Sequence, residues 1–490
     1  MAPFWQPPDM IKFSKNNILI ATLLIFGAMS ACSCQKDKPS PRPNIIFIIA
    51  DTLRPDHMGC YGYDRDTTPR LDEFARDAVV FNRAYCQIPS TLPSHMSIFT
   101  GMYPEAHGVM EEDYAVDRKN PEVLNPRISS FPEMLKKAGY YNLGIVSSIW
   151  LKPVFGFRRG FDVYKNIKLS LTFAAKINAI AFNWLKTLIE EGRKPFFFFL
   201  HYYDPHSDFG MGGRNELPYY APSPYLERFC RDPLSSIAYK EQLNVSTGNY
   251  LGALTQSGIE VAETVRRAII DLYDAGIAYF DSQLGELFSE LKKRGLYDDA
   301  LIIFISDHGE EFNEHGEFIH NQTYEENIRI PLLIKFPGNK YSGKMVNDPV
   351  ETVDIMPTIL DYLGIAPDSY LQGRSFLDAI RTESETGKLI FSRQKCPPQN
   401  RIYSLIDGDY KLISRLKTGE RELYDLSSDP EERVNLAERN RARTSRMHQQ
   451  LTGILQTNRR LAADFSAATD VESLTASEIE KLKSLGYFGN

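Results

Sequence analysis

The chain has 490 residues, 43% hydrophobic, 24% charged and 12% aromatic, ordinary globular proportions that exclude disorder, collagen and low complexity. Its formal charge is −7, from 56 basic and 63 acidic residues, and without long basic runs this argues against the dense phosphate-facing patch of a nucleic-acid binder. Six cysteines, at 32, 34, 60, 86, 230 and 396, fit neither a disulfide framework nor a zinc pattern. The length suits one large α/β domain with a smaller companion.

Lys12 and Lys15 precede an uncharged, mostly apolar run of 14 residues, 18–31. A helix that short spans ~21 Å, less than a ~30 Å hydrocarbon core. The positive flank, the short apolar run and the small residues before Cys32 predict a secretory signal. Met29-Ser30-Ala31-Cys32 is similar to a bacterial lipobox, with methionine where leucine is usual. That resemblance implies a lipidated Cys32 as the first mature residue, with a plain cleaved signal as the alternative. The expectation is a bacterial cell-envelope protein, lipid-anchored to a membrane and facing periplasm or exterior. Residues 1–31 then form the signal, 32–43 a tether rich in proline and lysine, 44–390 the main domain and 391–490 a C-terminal subdomain.

The main domain opens at Asn44, followed by an unbroken apolar run at 45–50 that stops at Asp51. Continuous hydrophobicity suits a strand buried on both faces, as in a parallel sheet. Similar runs follow at 143–146, 196–200, 301–305 and 331–336. The clearest helix carries Ile270, Tyr273, Ile277, Phe280, Leu284, Leu287 and Leu291 on one face, closed by Lys292-Lys293-Arg294-Gly295. Alternating strands and helices predict an α/β fold, a mostly parallel sheet covered by helices on both faces. Past residue 390 the period changes to two. Ile402, Ser404 and Ile406 lead into Asp407-Gly408, and Tyr410, Leu412 and Ser414 lead out, a hairpin signal. With residues 422–426 they predict a small antiparallel C-terminal sheet. Thr475 with Glu478 caps a terminal helix that stops at Gly486.

Three clusters stand at or near strand ends: Asp51, Asp307-His308-Gly309, and Ser90-Thr91-Leu-Pro-Ser-His95. Ligands bind beyond the carboxyl ends of strands in open α/β sheets, so these acids can converge on a divalent metal. Singly, each aspartate reads first as a turn or cap residue. Pro93 and Gly101 frame a short helix with Thr91 at its N-terminus, where the dipole favours an anion. A hydroxyl there is either a nucleophile or an N-cap. His201, His206, His308, His315 and His320, five of nine histidines, gather near strand ends and offer proton donors or charge contacts. Tyr219, Tyr220 and Tyr225 serve equally for ring stacking on a substrate or for loop packing.

In this order the motifs resemble the sulfatase family of the alkaline phosphatase superfamily over nearly the whole chain after the tether. The resemblance rests on Asp51, Cys60-Tyr-Gly-Tyr63, Thr68-Pro-Arg-Leu-Asp72, Thr91 to Gly101, Tyr103-Pro104 with His107-Gly108, Asp307-His-Gly309, Thr323-Tyr-Glu-Glu326, Val353 to Leu360 and Glu422 to Pro430. It implies an alkaline-phosphatase-like fold and an ester hydrolase acting on a small-molecule or glycan ester. It implies Asp51, Asp307, His308 and Thr91 around one divalent ion, calcium first, manganese or another ion after it. Thr91 occupies the nucleophile position, His206 the histidine that contacts the ester or leaving group, and His320 a position where relatives place an anion-binding lysine.

Four departures are visible. Thr91 stands where sulfatases carry the cysteine or serine converted to formylglycine, so formylglycine is not expected, and Cys86 lies out of register to replace it. His95 replaces the signature arginine, Thr52 a second aspartate, and Ser147-Ser148-Ile-Trp-Leu151 a Lys-Trp-His segment. The favoured expectation is hydrolysis of sulfate or phosphate-type esters by Thr91. A phosphoryl-type transferase with the same site and a non-catalytic envelope binding protein are the alternatives.

Overall fold

A computed structural model describes residues 1, 42–110, 122–167, 174–207, 217–368, 370–382, 387–394 and 401–465. The signal, the lipobox Cys32, most of the tether and the terminal helix after Thr475 lie outside the described residues. Residues from Pro43 onward belong to one compact unit. Among the described residues no helix is long and apolar enough to cross a membrane.

Eight strands build the central sheet: β1 (Ile45–Ala50), β2 (Val79–Phe81), β4 (Tyr141–Val146), β5 (Val163–Asn166), β6 (Phe196–Tyr202), β7 (Leu301–Ser306), β11 (Leu332–Lys335) and β12 (Met345–Val346). Their order is β12-β2-β11-β7-β1-β6-β4-β5. β1 pairs in parallel with β6 and with β7, and every residue of those three strands is buried. The continuous apolar runs have the reason inferred from sequence: alternate side chains enter two different cores. Ile45, Phe47 and Ile49 pack on one face, Ile46, Ile48 and Ala50 on the other.

The run at 331–336 forms β11, but it is antiparallel to both β7 and β2. An apolar run records burial on two faces and carries no information about direction. β6 also runs two residues past the predicted end, so His201 lies inside the strand. The long helix spans Glu263–Lys293, with Lys292 and Lys293 in its last turn and Gly295 at φ 64°, where a left-handed residue ends the helix.

Smaller sheets complete the body. β3 (Ala84–Tyr85) lies between β10 (Arg329–Ile330) and β13 (Val350–Glu351), and β8 (Glu311–Phe312) pairs with β9 (Phe318–Ile319). The C-terminal antiparallel sheet has four strands, β14 (Ile390–Arg393), β15 (Ile402–Asp407), β16 (Tyr410–Arg415) and β17 (Arg421–Asp425). The Asp407-Gly408 turn joins β15 to β16 as predicted, with Asp407 opposite Tyr410. The helix Arg441–Phe465 packs Met447, Leu451 and Leu455 on Leu405, Leu412 and Leu423 of this sheet.

Candidate active site

Asp51 leaves the end of β1 and Asp307 the end of β7, and the strands are in register, Ala50 opposite Ser306. Two carboxylates 256 residues apart are therefore neighbours by sheet pairing alone. Asp307 Oδ1 accepts the amides of Thr52 at 3.2 Å and His308 at 3.0 Å, which orients the carboxylate. Its Oδ2 lies 3.5 Å from His308 Nε2 and 3.5 Å from His95 Nδ1. His308 Nε2 is 3.7 Å from Asp51 Oδ1. The His308 Nδ1 is 3.0 Å from the Gly309 carbonyl, so that nitrogen carries the proton and Nε2 keeps a lone pair facing the acids.

The helix Thr91–Thr100 brings the third cluster. Ser90 is extended at its N-cap, and Gly101 ends it at φ 63° with its amide on the Ser97 carbonyl. All ten helical residues are buried, so this helix is held by its whole circumference. Thr91 sits in the first turn with its hydroxyl near Asp51, and Ser94 Oγ donates to the Asp307 carbonyl at 2.7 Å. His95 is one turn on.

The electrostatics of the acids bear on what they would hold. Among the described residues, both oxygens of Asp51 and Asp307 Oδ2 are buried without a hydrogen-bond partner. Burial and then Glu310 push Asp51 well above the usual carboxylate range, and Thr91 pulls it partly back. Burial and then Asp51 do the same to Asp307, against the Thr52 and His308 amides. Acids held neutral by burial and mutual repulsion become ligands when a cation supplies the missing charge. The donor set therefore fits a divalent ion at Asp51, Asp307 and His308, whose ligand atoms lie within 4.8 Å of one another.

A row of imidazoles leads away from this triad. The His308 and His320 rings are 4.4 Å apart, those of His320 and His206 5.1 Å, and His206 stacks on Tyr203 at 4.3 Å. His320 Nδ1 meets Glu310 Oε2 at 3.3 Å. Burial raises Glu310 to about 7, against the lowering influence of His206, Tyr219, Arg54 and Thr52. Two β-branched residues beside the site take left-handed backbone, Thr52 at φ 57° next to Asp51 and Ile319 at φ 68° next to His320. Such residues resist that conformation by roughly 1–3 kcal/mol, strain that clusters at functional sites.

The sequence-predicted residues Asp51, Thr91, His95, Asp307, His308, His206 and His320 are thus gathered in one place. His315 packs elsewhere, stacked on Tyr324 at 3.6 Å and facing Glu326 at 3.5 Å. Tyr219 is buried edge-on to Tyr273 and Phe312 with its hydroxyl toward Glu310, so its ring is packed inside the body. Cys86 is buried, and burial with Asp307 nearby pushes its thiol far up, opposite to an activated nucleophile. Sequence reasoning missed Glu310, although it directly follows the Asp307-His308-Gly309 motif. It also missed the pairing of His201 with His95, rings 5.0 Å apart, for which no local signal exists.

Comparisons with known proteins identify the family. Residues 43–365 match the family described as Sulfatase, and residues 313–460 match N-sulphoglucosamine sulphohydrolase, C-terminal. An arylsulfatase of Clostridium perfringens is 24% identical over 443 residues, covering 81% of this chain and 90% of its own. An N-acetylglucosamine-6-O-sulfatase of Bacteroides thetaiotaomicron is 25% identical over 516 residues, covering 89% and 90%. The phosphonate monoester hydrolase of Agrobacterium radiobacter shares the fold, with a TM-score of 0.66 at 21% identity over 85% of this chain and 96% of that one. With residues 43–365 matching that family, this chain belongs to the sulfatase family, hydrolases of sulfuric esters.

Proposed function

We propose that the chain hydrolyses anionic esters of sulfate or phosphate type, with Thr91 as the nucleophile. The observation that carries this reading is the Thr91 hydroxyl, in the first turn of a fully buried helix, near Asp51 and beside the Asp51–Asp307–His308 triad. A divalent ion held by the triad and by Thr91 would lower the hydroxyl pKa and offset charge on the ester oxygens. The ionised Thr91 Oγ1 attacks sulfur or phosphorus; that bond forms as the bond to the leaving alcohol oxygen breaks. Free amides of the helix's first turn favour the anion. His206, or His320 braced by Glu310, gives the departing oxygen its proton. The same imidazole then takes a proton from water, whose oxygen displaces Thr91 at the sulfur or phosphorus.

Threonine is a secondary alcohol, so oxidation would yield a ketone rather than the aldehyde of formylglycine. Direct attack by the hydroxyl is the chemistry left to it. Family membership favours sulfate esters of small molecules or glycans, and the unmodified alcohol favours phosphorus, where a threonine ester is readily hydrolysed in a second displacement.

The test is turnover of paired aryl sulfate, phosphate monoester, phosphodiester and phosphonate substrates by the full-length protein with calcium or manganese, beside Thr91→Ala. Turnover lost in Thr91→Ala supports the assignment, and the preferred substrate names the reaction. Turnover that survives Thr91→Ala refutes it. No turnover and no bound metal would make this an envelope binding protein that retains the fold.

A further inference from the structure

One cation between Asp51, Asp307 and His308 leaves two buried imidazoles beside it unexplained. We propose that His95, His201 and Asp307 form a second cation position sharing Asp307 with the first, so that the site holds a pair of divalent ions of the zinc or manganese class. This rests on the reading of the site given above and extends it.

The geometry gives two triads. The ligand atoms of His95, His201 and Asp307 lie within 4.8 Å of one another, as do those of Asp51, Asp307 and His308, with Asp307 common to both. All five residues are 0% exposed. Asp307 Oδ1 is fixed by two backbone amides, which leaves Oδ2 facing His308 Nε2 at 3.5 Å, and the His95 ring lies against the same oxygen, its Nδ1 at 3.5 Å. His95 Nδ1 lies 2.8 Å from the Thr91 carbonyl and so carries the proton, which puts the lone pair on Nε2. Among the described residues His95 Nε2 has no hydrogen-bond partner, and neither has His201 Nε2, 3.4 Å from Asp51 Oδ2. Buried nitrogens without a partner are costly in a protein interior, and a cation would satisfy both. Ser147, on the far side, donates to the His201 carbonyl at 3.0 Å and helps hold that residue in place.

Charge and chemistry agree. Asp51, Asp307, an ionised Thr91 oxygen and a monoanionic ester together carry four negative charges, which two divalent ions neutralise. Two imidazoles and a carboxylate are a nitrogen-rich set that suits zinc or manganese better than calcium, which prefers oxygen. A pair of ions held by the two triads would offset charge on both the attacking and the leaving oxygen.

The experiment uses the full-length protein, stripped with chelator and reloaded with manganese(II). Bound metal is counted by elemental mass spectrometry, and electron paramagnetic resonance reads whether the ions couple. The expected result is two equivalents with an exchange-coupled spectrum, falling to one equivalent and an isolated-ion spectrum in His201→Ala and in His95→Asn. One equivalent in the unmodified chain overturns the second position and leaves the Thr91 reading intact; none overturns both. Two equivalents retained in both variants also refutes the assignment. Where a variant does not fold by circular dichroism, the count and coupling in the unmodified chain decide.

Discussion

Tyr273 ties the long helix to the segment that positions Asp51, and its hydroxyl is the part of the molecule whose removal tests that link most directly. The hydroxyl donates to the Thr52 carbonyl at 2.7 Å and accepts the Arg54 amide at 2.9 Å, with the residue fully buried. Tyr273→Phe deletes one oxygen and keeps the ring, which packs 5.0 Å from His57 and 4.9 Å from Phe312. Two buried backbone groups then lose their partners, at about 1–3 kcal/mol each. Thr52, at φ 57°, gains the freedom to relax toward extended backbone, which returns part of the roughly 1–3 kcal/mol of strain. The net loss expected is about 2–3 kcal/mol. Relaxation also moves Asp51, and a displacement of about 1 Å at the reacting centre lowers turnover roughly 100-fold. Urea unfolding followed by tryptophan fluorescence reads the first effect, and kcat on the Thr91-dependent substrate reads the second. A Tyr273→Phe protein within about 0.5 kcal/mol of wild type and with unchanged kcat would show that the hydroxyl does not hold the loop.

Gly309→Ala places a Cβ 2.0 Å from the Glu326 carbonyl oxygen, so the segment carrying Asp307 and His308 must shift; kcat is expected to fall about 100-fold, and a fall below threefold would refute the tight approach. Asp281 accepts the Arg70 and Leu71 amides, yet burial raises it to about 7. Because its folded pKa lies above the unfolded value, its contribution to stability is full below about pH 4 and is lost as pH rises to about 7. The stability of Asp281→Asn relative to wild type should therefore climb by up to about 1.4 kcal/mol per pH unit across that window and level off above it. A flat difference in urea midpoints would contradict the shift. Cys32→Ser is expected to move the protein from the membrane pellet to the soluble fraction, and an unchanged distribution would argue against lipid anchoring.

Much of the fold is legible one residue at a time. The runs at 45–50, 196–200 and 301–305 are apolar without alternation because β1, β6 and β7 are covered on both faces, and that reason acts locally. The same holds for the Asp407-Gly408 turn and for the lysines and glycine that end the long helix. β2, β5 and β12 have two to four residues each, too few for a period to register, and they exist because a neighbouring edge accepts them. The antiparallel direction of β11 likewise comes from how the chain returns.

The site divides along the same line. Asp51, Thr91, Asp307 and His308 could be chosen from the sequence because their chemistry and their places at strand ends or a helix start are local properties, ordered as in a family of known pattern. That Asp51 and Asp307 face each other follows from the register of β1 and β7. The meeting of His95 with His201 needs β6 beside β1 and a helix buried on all sides above them. Sequence can supply the donors. Only the packed structure decides which of them lose water, which tautomer each imidazole keeps, and which carboxylate stands between two groups, because these depend on neighbours that periodicity and spacing along one chain do not encode.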